Sequence, residues 1–412
     1  VPNKVVPKKS PTESQAPIIA EYLRTVRNFR GSLIEAFASL GLDSSRPRET
    51  ARQLGLDKSL VWKLTRVAHE EDQFKISSFM PGTSGLGMVT RAMLSKGVPN
   101  EVVEALESAY QQYLMMIDRH AGDRETLDLM LHGLAEDGDE RFRKSRQFAF
   151  RGNCGIWGVQ SSTRVSSHIL KVNENDSRFL DYAQLGGLLG FQRLRPGPTW
   201  PIFQFHSYED TGGELDSSMR AIDEDPDPQF PLLIREHCLG EMPNLHLACD
   251  PQSTRYEFGD GPIGKTGNCD AFFGYIDTQP KPRYQDERNR VGELLCIVDT
   301  PIQSLVLDLI VEREISEHIA PEALIYGRAT GPQLGHELRD QRSLVPYTEP
   351  LQQIESGPHM LTTPHAPGYK AAGKSVMDRL GRSFDDFVCW RLIMQYPIMN
   401  STVAIKFDLP VS

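Results

Sequence analysis

The sequence predicts an α+β multidomain protein, in which an all-α N-terminal part and a helical middle region precede a large, β-rich, mostly antiparallel α+β domain. Three observations carry this. At 412 residues the chain is too long for one ordinary core, so two or three domains are expected. Apolar residues recur at helical spacing in the first third, then give way to alternating runs rich in β-branched and aromatic residues. Charge divides the same way: residues 1–70 hold 12 Lys and Arg against 7 Asp and Glu, a net of +5, so the overall −10 leaves −15 for the remainder.

Residues 1–16, VPNKVVPKKSPTESQA, mix proline, lysine and serine without periodicity and read as a disordered, solvated tail. From Pro17 to Leu40 an apolar stripe (Ile19, Leu23, Val26, Leu33, Phe37, Leu40) predicts a long first helix with a bend at Gly31. Gly41 to Arg46 is its turn. Two short helices follow, within a predicted domain 17–72. Ala51 is small enough to sit where they cross, and Gly55, lacking a Cβ, suits the C-cap of the first. Leu54 and Leu56 flank the turn. Asp57 is an N-cap for the second helix, placed at about Lys58 to Ala68. Val61, Leu64 and Ala68 share one face of it, extended by Leu60 and Val67, and the other face carries Lys58, Ser59, Trp62, Lys63 and Arg66.

That segment, Pro47 to Arg66, resembles the helix-turn-helix of bacterial transcriptional regulators. The likeness rests on Ala51, Gly55, Leu56, Val61 and Leu64 and spans about twenty residues of the chain. It implies double-stranded DNA as partner, with the second helix in the major groove. Arg46, Arg48 and Lys63 would then neutralise phosphates, while Lys58, Ser59 and Trp62 sit nearest base edges and Arg66 shares the groove face. Trp62 departs from the polar residue usual at its position, and both stacking on the DNA and packing on the following segment are open to it. Local positive charge at the head makes the acidic total compatible with phosphate contact.

Residues 73–135 are expected to form a helical linker or dimerisation region, with MPGTSGLGMVTRAML as a glycine-rich N-cap loop opening a helix. Helices at Asn100–His120, striped by Val103, Leu106, Tyr110, Tyr113 and Ile117, and at Arg124–Leu134 follow. The polar run Ala135 to Arg146 marks a boundary. Beyond it, residues 147–412 read as strands separated by turn residues, among them FAFRG, IWGVQSSTRVSSHILKV, TWPIFQF, TRYEF, AFFGYI, SLVLDLIVERE and STVAIKFDL, in two packed sheets. Arg178–Leu189 and Lys370–Leu380 are the clearest helices there. Long loops are expected near Ser207–Phe230, Thr278–Arg290 and Arg339–Gly368.

Chemical motifs in this domain are weak. Gly259 to Thr266, GDGPIGKT, fits the phosphate-loop pattern, but Pro262 removes an amide from the cradle and the segment after Thr266 reads as turn then strand. His237, Cys238, His246 and Cys249 lie close together, yet adjacent residues of a strand point to opposite sides, so no metal site is assigned. IDEDPDP, around Asp223 to Pro228, lacks the glycine and terminal Glu of a calcium loop. No catalytic residue and no cofactor is assigned. The six scattered cysteines fit reduced thiols, and neither a leader nor a membrane-length apolar run is seen, so a cytoplasmic location is expected.

The expectation is therefore a cytoplasmic, bacterial, homodimeric DNA-binding transcriptional regulator, with the large domain sensing a small-molecule or protein effector. Two alternatives of other classes stand beside it: an enzyme centred in the β-rich domain and recruited by the N-terminal module, and an assembly protein whose helical head contacts only proteins.

Overall fold

A computed structural model of the chain describes residues 16–131, 134, 138–206, 219–250, 253–287, 289–327 and 344–411. The expected N-terminal tail, except Ala16, lies outside these residues, as do parts of the loops begun at Ser207 and Arg339. The chain forms two compact units, Val1–Phe142 and Arg143–Ser412.

The first unit is all helical. α1 (Ala16–Ser39) runs without interruption through Gly31. α2 (Pro47–Leu54) and α3 (Lys58–His69) follow, then a 3₁₀ turn (Gln73–Lys75) running into α4 (Ile76–Phe79), and α5 (Thr83–Ser95), α6 (Asn100–His120) and α7 (Arg124–Leu131). All the longer helices feed one core, including Tyr22, Phe29 and Phe37 of α1, Leu64 and Val67 of α3, Met93 of α5, Leu106 and Tyr113 of α6, and Leu127 of α7. The rings of Phe29 and Tyr110 meet at 5.7 Å. The middle helices are thus part of the same body as α1–α3. Val103, Leu106, Tyr110, Tyr113 and Ile117, the apolar stripe expected on this helix, are buried inside it, where α6 covers α1. The Tyr22 hydroxyl joins the parts, donating to the Gln73 carbonyl at 2.9 Å and accepting the Ser77 amide at 3.3 Å.

The division between the units falls within α8 (Gly138–Trp157). FAFRG, expected as a strand, is helical here: Arg146, Phe150 and Cys154 recur every fourth residue and bury one side. Gly158, at φ +71°, ends the helix and admits β1 (Val159–Val172). β2 (Phe179–Arg193) replaces the helix expected over Arg178–Leu189. Its glycines decide the matter, since a Cβ on Gly186 would fall 2.2 Å from the Phe273 ring of the neighbouring strand. The remaining strands are β3 (Trp200–His206), β4 (Met219–Ala221), β5 (Leu239–Gly240), β6 (Leu245–Asp250), β7 (Ser253–Phe258), β8 (Cys269–Pro282), β9 (Val291–Ile297), β10 (Ile302–Glu312), β11 (Glu322–Tyr326), β12 (Leu351–Ile354), β13 (Phe387–Gln395) and β14 (Thr402–Asp408). Among the described residues two helices join them, α9 (Arg313–Ser316) and α10 (Tyr369–Leu380).

The architecture is α+β with mostly antiparallel strands, but in three sheets among the described residues rather than two. The large sheet has the order β12-β13-β10-β1-β2-β8-β4, with β5 also on β8. β1 and β10 run parallel, and every other pair in it is antiparallel. β11-β14-β9 and β3-β7-β6 form the smaller sheets. Alternation along β10 shows how the layers share the large sheet: Leu305, Leu307, Leu309 and Val311 join the core with the smaller sheets, whereas Val306 and Ile310 join Tyr369, Ala372 and Val376 of α10. Strands covered on both faces read as continuous apolar runs. One charged residue interrupts β10. Asp308 is fully buried, and accepts Arg391 Nε at 2.9 Å, Arg391 Nη2 at 2.6 Å and the Tyr369 hydroxyl at 2.6 Å.

Candidate nucleic-acid interface

The local sequence builds α2–turn–α3 with little freedom left over. Pro47 opens α2 at a position where no amide is needed. Gly55 closes it in the left-handed region, φ +67° and ψ 29°, and the Leu56 amide returns to the Ala51 carbonyl at 3.0 Å. Asp57 then caps α3, its Oδ1 accepting the amides of Ser59 at 2.8 Å and Leu60 at 3.3 Å. The Ser59 hydroxyl donates to the same carboxylate, and these bonds hold the Asp57 carboxyl below the usual range. Ala51, 2% exposed, lies in the angle between the helices. From α1, Arg30 reaches the far end of α3, donating from Nε to the Val67 carbonyl at 2.8 Å and from Nη2 to that of Glu70. Both ends of α3 are therefore fixed by side chains.

Val61, Leu64, Thr65, Val67 and Ala68 face the core. Lys58, Ser59, Trp62 and Lys63 face outward, as the sequence predicts, and Arg48 on α2 is exposed too. Among the described residues the ammonium groups of Lys58 and Lys63 and the guanidinium of Arg48 meet no carboxylate. Two expected contacts differ. Arg46 is exposed but lies between Asp43, at 3.2 Å, and Glu49, at 3.7 Å. Arg66 is half-buried, paired with the Glu70 carboxylate and lying 5.0 Å over the Phe79 ring. Trp62 meets the same ring edge-on at 5.7 Å and remains 48% exposed. Phe79 of α4 thus braces the outward face of α3 from one side. Arg52, one turn beyond Arg48 on α2, is exposed without an ion pair among the described residues, and sequence reading passed over it although the four-residue spacing marks it.

The motifs of the second unit do not assemble. Gly264–Gly267 is a single 3₁₀ turn leading into β8, so no helix N-terminus faces the GDGPIGKT loop. His237 shares a hydrogen bond with the Ser375 hydroxyl at 2.8 Å, while the Cys238 thiol donates to the Ile234 carbonyl at 3.4 Å. His246 is exposed, and the Cys249 side chain lies outside the described residues. Among the described residues no group of three or more His, Cys, Asp and Glu is arranged to hold a metal. Asp227 caps its own turn through the Gln229 amide at 2.7 Å and pairs with Arg235. Burial pushes the thiols of Cys154, Cys238, Cys269, Cys296 and Cys389 up, and all five are free. No helix among the described residues is long and apolar enough to cross a membrane.

Compared with known proteins, the chain matches no family model and no curated protein.

Proposed function

We propose that the first unit binds double-stranded DNA in a sequence-specific manner, with α3 in the major groove, and that the chain is a cytoplasmic transcriptional regulator whose second unit receives a small-molecule or protein effector. One observation carries this reading: Gly55 closes α2 and Asp57 caps α3, and the two helices leave exposed four cations, Arg48 and Arg52 on α2 and Lys58 and Lys63 on α3, that have no ion pair among the described residues, beside the exposed Ser59 and Trp62 of α3. The cations neutralise phosphates and set the register. Ser59 gives its proton to Asp57, so toward DNA its oxygen accepts, which suits the exocyclic amino groups of adenine or cytosine. The free face of Trp62 suits a thymine methyl group. Phe79, with Arg66 over its ring, braces Trp62 from one side.

Selection of bound sequences from a randomised duplex library by the full chain tests this. A consensus is expected, altered at one or two positions by Ser59→Ala or Trp62→Ala, and lost when Lys58 and Lys63 are both replaced by alanine. A library that shows no enrichment, or a consensus untouched by all four changes, overturns the proposal.

A further inference from the structure

α8 carries two opposed faces. Arg146, Phe150 and Cys154 are buried, and the helix is pinned by Arg143 on Gln395 at 3.1 Å, by Gln147 on the Tyr396 hydroxyl at 3.1 Å and by pairing of Arg146 with Glu349. Arg195 caps its last turn, donating to the carbonyls of Gly155, at 2.8 Å, and Ile156. The other face is apolar and open: Phe148 is 69% and Ile156 65% exposed, with Ala149, Gly152 and Gly155 exposed between them. Glycine inside a helix costs stability relative to alanine, so two of them call for a reason. None lies among the described residues. A Cβ on Gly152 or on Gly155 would meet nothing within 4 Å, and neither has a positive φ. Beside the exposed Phe148 and Ile156 they leave room for close approach by a partner.

We propose that this face pairs two copies of the chain, α8 against α8, antiparallel about a two-fold axis at Gly152. The pattern is self-complementary. Counted from Gly152, the positions four away are the large Phe148 and Ile156, and those three away are the small Ala149 and Gly155. An isologous interface requires that each contact be matched by its mirror, and this set meets that condition: Phe148 of one copy falls on Ile156 of the other, and glycine passes glycine at the crossing. A parallel pair would set the exposed Lys144 and Arg151 of one copy beside the same residues of the other, which antiparallel pairing avoids. The open apolar area is on the order of 400 Å² per copy; at about 60% apolar, that corresponds to a paired interface of about 1,300 Å² in total, within the range of specific association. The proposal does not depend on the DNA-binding reading.

Sedimentation of the full chain from about 1 to 100 µM, without DNA, tests it. A concentration-dependent dimer is expected. Gly152→Leu and Phe148→Asp should each raise its dissociation constant at least about tenfold, with helical content and the melting temperature of the dilute chain unchanged or higher. Gly152→Cys should cross-link to itself under mild oxidation. Phe148→Cys should cross-link only when mixed with Ile156→Cys. A chain monomeric throughout, a dimer indifferent to both substitutions, or self-linking of Phe148→Cys overturns the proposal.

Discussion

Not every cation on the N-terminal unit should count equally toward DNA, and the salt dependence of binding measures which ones do. Arg48, Arg52, Lys58 and Lys63 are exposed and unpaired among the described residues, whereas Arg46 lies between Asp43 and Glu49 and Arg66 faces Glu70. A cation already facing carboxylate displaces few counterions from DNA. With four effective charges the slope of log affinity against log salt should be about −3.6, so that raising salt from about 50 to 200 mM weakens binding by about 150-fold. Lys63→Ala should bring the slope to about −2.7 and the loss over the same interval to about 40-fold. Arg46→Ala and Arg66→Ala should leave the slope near its original value, whatever they do to affinity. Fluorescence anisotropy on a selected duplex at four or more salt concentrations gives the slopes. Equal slopes for Lys63→Ala and the unaltered chain, or equal reductions for Lys63→Ala and Arg46→Ala, would refute the reasoning.

Three further outcomes concern the scaffold. Gly55→Ala puts a Cβ on a residue at φ +67° and should cost about 1–2 kcal/mol in thermal melting, while Gly31→Ala, at an exposed helical position without a neighbour, should gain about 0.5–1 kcal/mol; equal effects would count against the cap. Asp308→Ala leaves the Arg391 guanidinium buried without its carboxylate and should destabilise the second unit by about 3–5 kcal/mol in denaturant, and an unchanged midpoint would show the network to be dispensable. His168 is buried with its Nδ1 2.7 Å from the Tyr182 hydroxyl, and burial pulls its pKa from 6.5 down to about 4. Between those values the unfolded chain holds a proton that the folded one refuses, so stability should fall as pH drops from about 6.5 to 4, by up to about 3 kcal/mol. Denaturant midpoints across that window should show less of this fall in His168→Gln.

What the sequence makes legible follows from how local the cause is. Gly55 and Asp57 act on amides within five residues, so both ends of the turn are readable from residue type and spacing, and the outward face of α3 follows from them. The pairing of Arg46 and Arg66 was also within reach, since Glu49 and Glu70 stand at three and four residues' distance. Phe79 was not, because its contact with Trp62 depends on where α4 settles on the core. The same holds for the larger misreadings. Arg178–Leu189 looks helical by itself, and only the Phe272 and Phe273 rings, some eighty residues on, explain Gly186 and Gly187 as part of a strand under aromatic cover. FAFRG has strand propensity, which the burial of Phe150 and Cys154 on one side of α8 overrides. The parallel pairing of β1 with β10 joins segments too far apart for any window to register.

The motif and its support are also less separable than the sequence suggests. α3 owes its orientation to Asp57 and Gly55 at one end, but at the other to Arg30 of α1 and, along its outer face, to Phe79 of α4. α1 in turn is covered by α6, through Phe29 and Tyr110 among others, and α4 is tied to α1 and α7 through Tyr22, Ser77 and the 2.6 Å bond from Ser77 to Asp128. Packed side chains thus run from α6 and α7 through this core to the outward face of α3, with Phe79 as the last of them before Trp62. If the first unit binds DNA as proposed, the middle helices bear on recognition by supporting α3 and Phe79 beneath Trp62, and the proposed pairing through α8 is a separate task.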